Sequence, residues 1–155
     1  MISPEILRRY PFFGGLDDTA LKEVAMISEE VKFAQGDTIY ETGQPNSNIL
    51  FLEEGCIESY LVIEDHDNPH KRQEYYLDDY DPGEAFGISA VLEPRIHTTT
   101  ARARQRGKLI RIDADGLCKL FETNPRLGYI MMQEMSSILL HRLHQNRIQL
   151  VAAQG

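Results

Sequence analysis

The residues best suited to ligand chemistry lie in one segment, GEAFGISAVLEPRIHTTTARA, which runs from Gly83 to Ala103. Gly87 precedes a stretch that predicts a short helical turn, whose first N–H groups have no partner within the turn and can point at an anion. Polar or cationic side chains follow at Ser89, Arg95 and His97, ahead of three threonines. The segment therefore predicts a cradle for a phosphate or another small anion.

Two other groups of reactive side chains favour structural roles. The stretch EDHDNPHK, residues 64–71, contains acids and histidines that could bind a metal, but its Asn-Pro pair and mixed charges are typical of a solvated hairpin loop. Cys56 and Cys118 lack the close spacing of a zinc or redox motif, so we expect small buried side chains. We therefore expect no bound metal and no cofactor.

The composition describes an acidic globular protein of one domain, residues 1–155. A net charge of −8 argues against a main role in gripping nucleic acid, because phosphate contacts need a basic surface. No apolar run reaches the roughly 20 residues that span a bilayer. The N-terminus, MISPEILRRYPFF, lacks the basic start and apolar middle of a signal peptide, so we expect a cytoplasmic location.

Periodicity divides this domain into three parts. Helical spacing with caps at Ser3 and at Asp17 or Asp18 predicts N-terminal helices over about residues 3–29. Short β-rich segments separated by Gly, Pro, Asn and Asp predict a β-roll, or jelly roll, of about eight strands over about residues 31–113. Helices follow over about residues 114–150.

Glycines mark the predicted corners of the roll. We expect corners at Gly43, Gly55 and Gly83, where the missing Cβ matters. A turn at Arg106–Gly107 is expected to separate two strands, HTTTARARQ and GKLIRID.

The last helix carries more apolar residues than one face of a β-roll can cover. The surplus predicts a homodimer through this helix, with a contact around Met131, Met135, Ile138 and Leu139 that is uncertain by about one helical turn.

Three motifs resemble the cyclic nucleotide-binding domain family, which includes the effector domains of bacterial catabolite-activator-type regulators and of protein kinase A regulatory subunits. GDTIYETGQPNSNILFLEEG is similar to the family's first strand block, and PGEAFG is similar to the entry of its phosphate-binding cassette. TTARA followed by LIRID is similar to the strands that leave the cassette. The resemblance covers nearly the whole chain and implies a mainly β-roll fold with flanking helices.

The resemblance also implies a ligand site with altered chemistry. In the family, an acid directly after the Phe-Gly pair holds the ribose hydroxyl, and an arginine about ten residues after that glycine pairs with the cyclic phosphate. Ile88 and His97 occupy those positions here. We therefore expect weak binding of cAMP and cGMP, or none. The ligand-binding residues implied are Phe86, Gly87, Ile88, Ser89, Ala90, Arg95, His97, Thr98 and Thr99.

Several of these residues have a structural alternative. Ile88 is expected to fill core space that a ribose would otherwise reach. His97 could be a structural ring or a pH-dependent donor to phosphate, and Arg95 could supply the missing guanidinium or remain a solvated loop charge. Arg142 on the last helix could cap a ligand's base, as the family's last helix does, or simply favour the helix C-terminus.

The leading hypothesis is a non-catalytic sensor module that binds a small anionic ligand and signals through its last helix. The alternative is a ligand-free interaction module with a degenerate cassette. An enzyme of the cupin type is disfavoured, because the chain contains no His-x-His pair. A regulator's DNA-recognition helix is not expected after the last helix, so any role in transcription would need an unidentified protein partner.

Overall fold

The structure is a curled antiparallel sheet with helices at both ends of the chain. It is a computed structural model that describes the backbone of residues 1–155 and every side chain except that of Pro69. In chain order the elements are α1 (Pro4–Arg8), a 3-10 turn (Pro11–Phe13), α2 (Asp18–Met26), β1 (Ser28–Phe33), β2 (Thr38–Tyr40), β3 (Asn48–Asp65), β4 (Asn68–Tyr80), β5 (Ala85–Phe86), a second 3-10 turn (Ile88–Val91), β6 (Thr100–Asp113), α3 (Ala114–Thr123) and α4 (Pro125–Gln154).

Polar caps set where the helices begin. The side chains of Ser3, Asp17, Asp113 and Asn124 each accept a hydrogen bond from a backbone N–H in the first turn of the helix that follows. Such a bond satisfies a donor that the helix itself leaves free. The predicted helical regions at both ends of the chain are therefore confirmed.

The strands form one sheet in the order β1-β6-β3-β4, with β2 also paired to β6 and β5 to β3. All pairs are antiparallel. The predicted β-roll with flanking helices is confirmed. Gly43 and Gly83 have φ angles of +87° and +93°, a conformation that favours glycine, and both lie at corners as expected.

The roll has six strands, where the sequence predicted about eight, because β3 and β6 run through positions that look like turns. Gly55 and Gly107 lie inside these two strands, which stay paired on both sides of them. A Cβ on Gly107 would lie 1.9 Å from the carbonyl oxygen of Glu54, and Gly55 has a φ of +95°. The predicted turn at Arg106–Gly107 is therefore wrong, since the glycines let two paired strands bend together at a bulge.

The curled sheet separates two apolar clusters. The first, which we term the helix-side core, lies between the helices and one face of the sheet and includes Leu7, Phe51, Ile110 and Leu117. The second lies inside the roll around Leu52, and its other buried members include Phe33, Tyr40, Leu50, Tyr80, Phe86 and Leu109. The sheet therefore supports the helices on one face and encloses the second cluster with the other.

The stretch at residues 64–71 forms the predicted hairpin between β3 and β4, with His66 and Asp67 in its turn. Among the described side chains, no three His, Cys, Asp or Glu residues are placed to hold a metal ion. Cys56 is buried as expected, but Cys118 is only half-buried. None of the helices described is both long and apolar enough to cross a bilayer.

Helix α4 has an inner and an outer apolar face. Met131 and Met135 are buried against the protein's own core, so the prediction that they contact a partner is wrong. Their burial follows from the first turns of α4, which pack on α3 and on the helix-side core. The outer face begins later, with Leu139, Leu140 and Leu143, and Leu140 is 65% exposed.

Gly107→Ala should destabilise the protein by about 2–4 kcal/mol, because the added Cβ collides with the backbone of β3. Urea denaturation measures this loss. The control is Gly36→Ala, where φ is +88° and nothing lies within 4 Å of the added Cβ. It should cost only about 1–2 kcal/mol from the backbone conformation. Equal losses at both positions would contradict the paired bend.

Candidate ligand site in the cassette

The cassette is a sharp backbone turn followed by one turn of 3-10 helix. Gly87 follows β5 with a φ of +69°, and its added Cβ would lie 3.4 Å from the carbonyl oxygen of Asn48. The 3-10 turn Ile88–Val91 then begins directly. The N–H groups of its first residues have no acceptor within the turn. The predicted shape of the cassette entry is therefore present.

Asn46 holds this turn from the neighbouring loop. Its Nδ2 donates to the carbonyl oxygen of Gly87 at 2.8 Å and to Ser89 Oγ at 3.1 Å. Its Oδ1 accepts from the N–H of Asn48 at 3.2 Å. The side chain is buried with its polar atoms hydrogen-bonded, so it fixes the cassette from inside. Asn46 was not predicted as a site residue, because an asparagine in the sequence PNSN is typical of an ordinary turn.

The segment after the 3-10 turn is a loop up to Thr100, where β6 begins. It was predicted to be a strand from His97. The loop is fixed by backbone bonds: the Gly43 N–H donates to His97 O at 2.8 Å, and the His97 N–H donates to Gln44 O at 2.9 Å. The Asn46 N–H also donates to Arg95 O at 2.9 Å. The loop therefore pairs with residues 43–46, so the ladder to β3 starts only at Thr100.

A cavity of about 220 Å³ lies between this loop and α4. Among the residues predicted for the site, those lining the cavity are Gly87, Ile88, Ser89, His97, Thr98, Thr99 and Arg142. Phe86 and Ala90 are fully buried beside it and do not line it, since Phe86 packs into the roll and Ala90 into the helix-side core. Tyr40, Tyr80, Leu92 and Leu139 line it and were not predicted.

Arg95 lies outside the cavity, contrary to the suggestion that it supplies a guanidinium there. Its Nη1 lies 2.8 Å from Asp115 Oδ1, and its Nη2 donates to Cys118 Sγ at 3.4 Å. Both partners belong to α3. Asp115, near the start of α3, holds the guanidinium on the side of the loop away from the cavity. Arg95 therefore forms a structural ion pair.

His97 is the buried polar ring of the site. Its side chain stacks on Tyr40, with ring centroids 3.8 Å apart and planes 9° apart. The residue is 7% exposed, and no described side chain hydrogen-bonds to its ring. Burial lowers the pKa of His97, so the ring is neutral at physiological pH. It therefore offers a ligand one N–H donor and no charge, whereas the family pattern has an arginine guanidinium at this position.

Ile88 packs into the helix-side core, as expected, and also forms part of the cavity wall. It offers no acceptor to a sugar hydroxyl. A buried hydroxyl left without a partner costs about 1–3 kcal/mol. The cavity wall therefore disfavours a ribose at this position.

Arg142 brings positive charge to the cavity from α4. Its Nη2 donates to the carbonyl oxygen of Ala85, and its guanidinium lies 4.8 Å from the centre of the Tyr80 ring. Of the described residues that line the cavity, Arg142 is the one with a permanent charge, and none is acidic. The cavity therefore has one permanent positive charge in its lining, and this charge lies on the last helix.

His97→Phe should abolish a loss of stability at acidic pH while preserving the ring stack on Tyr40. A histidine whose pKa is lowered by folding stabilises the folded state at pH values above its pKa in the unfolded chain, which is about 6.5. This contribution disappears as the pH falls through the lowered pKa of the folded state. Urea denaturation across this range measures the effect, and the imidazole signals missing from the variant's NMR spectrum identify His97. A midpoint above about 6.5 for these signals would contradict the buried neutral ring.

Comparison with known proteins finds relatives that share this fold. A putative cyclic nucleotide-binding protein from Geobacter metallireducens is 33% identical and superposes with a TM-score of 0.77 over 93% of this chain and 100% of that one. A cyclic nucleotide-binding domain from Methylobacillus flagellatus shares the fold at 15% identity, with a TM-score of 0.78 over 96% of this chain and 80% of that one.

A CRP-like cAMP-activated global transcriptional regulator of Mycobacterium tuberculosis is 21% identical over 91% of this chain. The chain spans 58% of the length of that relative. Residues 30–124, which include the whole cassette, match the family described as the cyclic nucleotide-binding domain. The chain is a member of the cyclic nucleotide-binding domain family.

Proposed function

We propose that this domain is a non-catalytic sensor that binds a small anion in the cassette cavity and reports its presence through α4. The observation that carries the proposal is the position of Arg142. This side chain belongs to α4, yet it reaches the cavity wall at Ala85 and Tyr80. A ligand that pairs with its guanidinium would exchange these contacts for its own, so occupancy and helix position are coupled.

The cavity limits which anions fit. Its volume of about 220 Å³ is below the roughly 300–1,000 Å³ of typical small-molecule pockets. Ser89, Thr98 and Thr99 offer hydroxyl groups, and the neutral His97 offers at most one donor. A compact anion with few hydroxyls of its own suits these groups best. A cyclic nucleotide would bind weakly, because the ribose and phosphate partners are replaced.

The alternative is a module that has exchanged ligand binding for protein contacts. The stacked Tyr40–His97 pair and the core position of Ile88 favour it, since both fill space next to the cassette. In either case we propose that the domain acts on a protein partner and has no direct contact with DNA, since its net charge is −8. A cytoplasmic location remains a prediction of the N-terminal sequence.

Calorimetry with cAMP and cGMP tests the ligand chemistry. The unmodified protein should bind both with a Kd of about 1 mM or weaker, because a lost charged phosphate partner typically costs about 2–5 kcal/mol. His97→Arg should tighten binding at least tenfold. The control, His97→Gln, removes the ring without adding charge and should give no gain.

One outcome would count against the proposed ligand chemistry, and another would count against the sensor role. Micromolar binding by the unmodified protein would contradict the altered chemistry. No gain in His97→Arg, together with no response to compact anions such as phosphate or acetate, would favour the interaction module. Arg142→Gln should remove any anion response that the unmodified protein shows.

We also propose that the domain forms a homodimer through the outer face of α4. Leu139, Leu140 and Leu143 start an apolar stripe that Leu150 and Val151 continue, and all five are exposed. An exposed apolar stripe on a helix is typical of a protein contact. Of the residues around which the contact was predicted, Leu139 belongs to this stripe, whereas Ile138 packs against the protein's own core.

Leu143→Glu should convert the dimer to a monomer, because it places a charge in the middle of this stripe. Sedimentation velocity at micromolar concentration measures the change. The control is Gln149→Glu, which adds the same charge nine residues, or about two and a half turns, from Leu140 and so on the opposite side of the helix. A monomeric unmodified protein would refute the dimer.

A further inference from the structure

A carboxyl group lies at the edge of the helix-side core. Ile49 and Phe51 of β3 are fully buried on the helix-covered face of the sheet, and Glu53 is the next residue in the same row. The Glu53 side chain is only 4% exposed. Glutamates are seldom buried to this extent, because removing a charge from water costs far more than removing a neutral acid.

One ammonium group faces three acidic side chains at this place. Lys108 Nζ on β6 lies 3.3 Å from Glu30 Oε2, 3.4 Å from Glu53 Oε2 and 3.7 Å from Glu54 Oε1. Glu54 is 69% exposed, so water solvates its charge. Glu30 and Glu53, which we term the carboxyl pair, therefore share one positive charge. If both were ionised, an uncompensated negative charge would lie beside the core.

The other carboxyl oxygen of Glu53 is also unfavourable as part of a charged group. Oε1 is buried and has no hydrogen-bond partner among the described residues. Glu30 Oε2 and Glu53 Oε2 both lie within 3.4 Å of the same Lys108 Nζ, and two carboxylates placed on one ammonium group repel each other because neither has a donor. A single proton on Glu53 solves both problems, since it removes the buried charge and adds an O–H donor.

The pKa shifts within the carboxyl pair show which of the two residues holds the proton. Burial, and then the hydrogen bond with Glu30, raises the pKa of Glu53 to about 7. The same hydrogen bond is the main cause that lowers the pKa of Glu30. Glu53 is therefore the acid of the pair and Glu30 the carboxylate.

The N-terminal segment packs against this place. Tyr10 lies between α1 and the first 3-10 turn, and its ring contacts Phe51 edge-on, with centroids 4.6 Å apart. Burial and then the charge of Glu53 raise the pKa of Tyr10, with Arg9 acting in the opposite direction. The titratable and charged groups around Glu53 are therefore Glu30, Lys108 and Tyr10, with Arg9 acting on Tyr10 and Glu30 and with Glu54 on the same strand.

We propose that the carboxyl pair is a proton-dependent contact between the sheet and the N-terminal segment. At acidic to neutral pH, Glu53 is a neutral acid that donates to Glu30, and the segment around Tyr10 packs closely over it. At mildly alkaline pH, Glu53 loses its proton and repels Glu30. The packing of Tyr10 and α1 then loosens. This inference is independent of the ligand that the cassette binds.

The direction of the pH effect follows from linkage. The pKa of Glu53 is raised from about 4.3 in the unfolded chain, so its contribution to stability is complete below that value and is lost as the pH rises through about 7. The folding equilibrium constant should fall roughly tenfold to a hundredfold between about pH 5 and about pH 8.5 from this group alone. His97 acts in the opposite direction and is unchanged in the variants below.

Urea denaturation across this pH range tests the proposal on three proteins. Glu53→Gln keeps a neutral donor at every pH, so its stability should fall less than that of the unmodified protein and exceed it at about pH 8.5. Glu54→Gln is the matched control, because it removes an exposed acid from the same strand and the same lysine. It should follow the unmodified protein. Parallel profiles for Glu53→Gln and the unmodified protein would overturn the proposal.

Two measurements on the unmodified protein remain decisive if Glu53→Gln does not fold. The side-chain carboxyl carbon of Glu53, assigned by NMR, should titrate near pH 7, and a midpoint below about 5 would refute the retained proton. Amide exchange of residues 7–13, corrected for its intrinsic pH dependence, should accelerate above neutral pH. Unchanged protection there would refute the coupling to the N-terminal segment.

Discussion

The antiparallel pairing of β3 with β6 is the constraint on which the other parts of this domain depend. It joins Asn48 to Asp113 at one end and Tyr60 to Thr100 at the other. In the middle, Gly55 and Gly107 let both strands bend without separating. One continuous ladder can therefore serve two cores, one beneath the helices and one inside the roll. It also sets where β6 begins, and so where the cassette loop ends.

The cassette keeps its backbone shape with side chains of different chemistry from those of the family pattern. Asn46 and the backbone bonds of residues 43–46 hold the loop in place without help from a ligand. The groups inside are then free to differ: an isoleucine in the core, a neutral histidine stacked on Tyr40, and a single guanidinium from α4. The guanidinium that lines the cavity therefore belongs to α4, the element through which we propose that the signal is transmitted.

Two buried polar side chains illustrate different ways of satisfying the same rule. Asn46 has hydrogen-bond partners for both its amide nitrogen and its oxygen, so it fixes the loop at any pH. Glu53 shares one lysine with two other acids, and one of its buried oxygens has no partner among the side chains that the structure describes. Protonation of Glu53 is the remaining means of avoiding a buried charge there, and the protonated fraction depends on pH. The first residue is therefore a rigid support, whereas the second responds to its surroundings.

The class of fold, the helix caps, the hairpin at residues 64–71 and the cassette entry could be predicted from the sequence, because caps, turns and alternation are local patterns of residue type. The sequence could not determine that Gly55 and Gly107 bend two paired strands, since an isolated turn has the same local signature. Nor could the sequence predict three sets of contacts: the partners of Arg95, the ring beneath His97 and the three acids around Lys108. Those contacts join residues distant in the chain, because folding brings their side chains together and sets how much water remains between them.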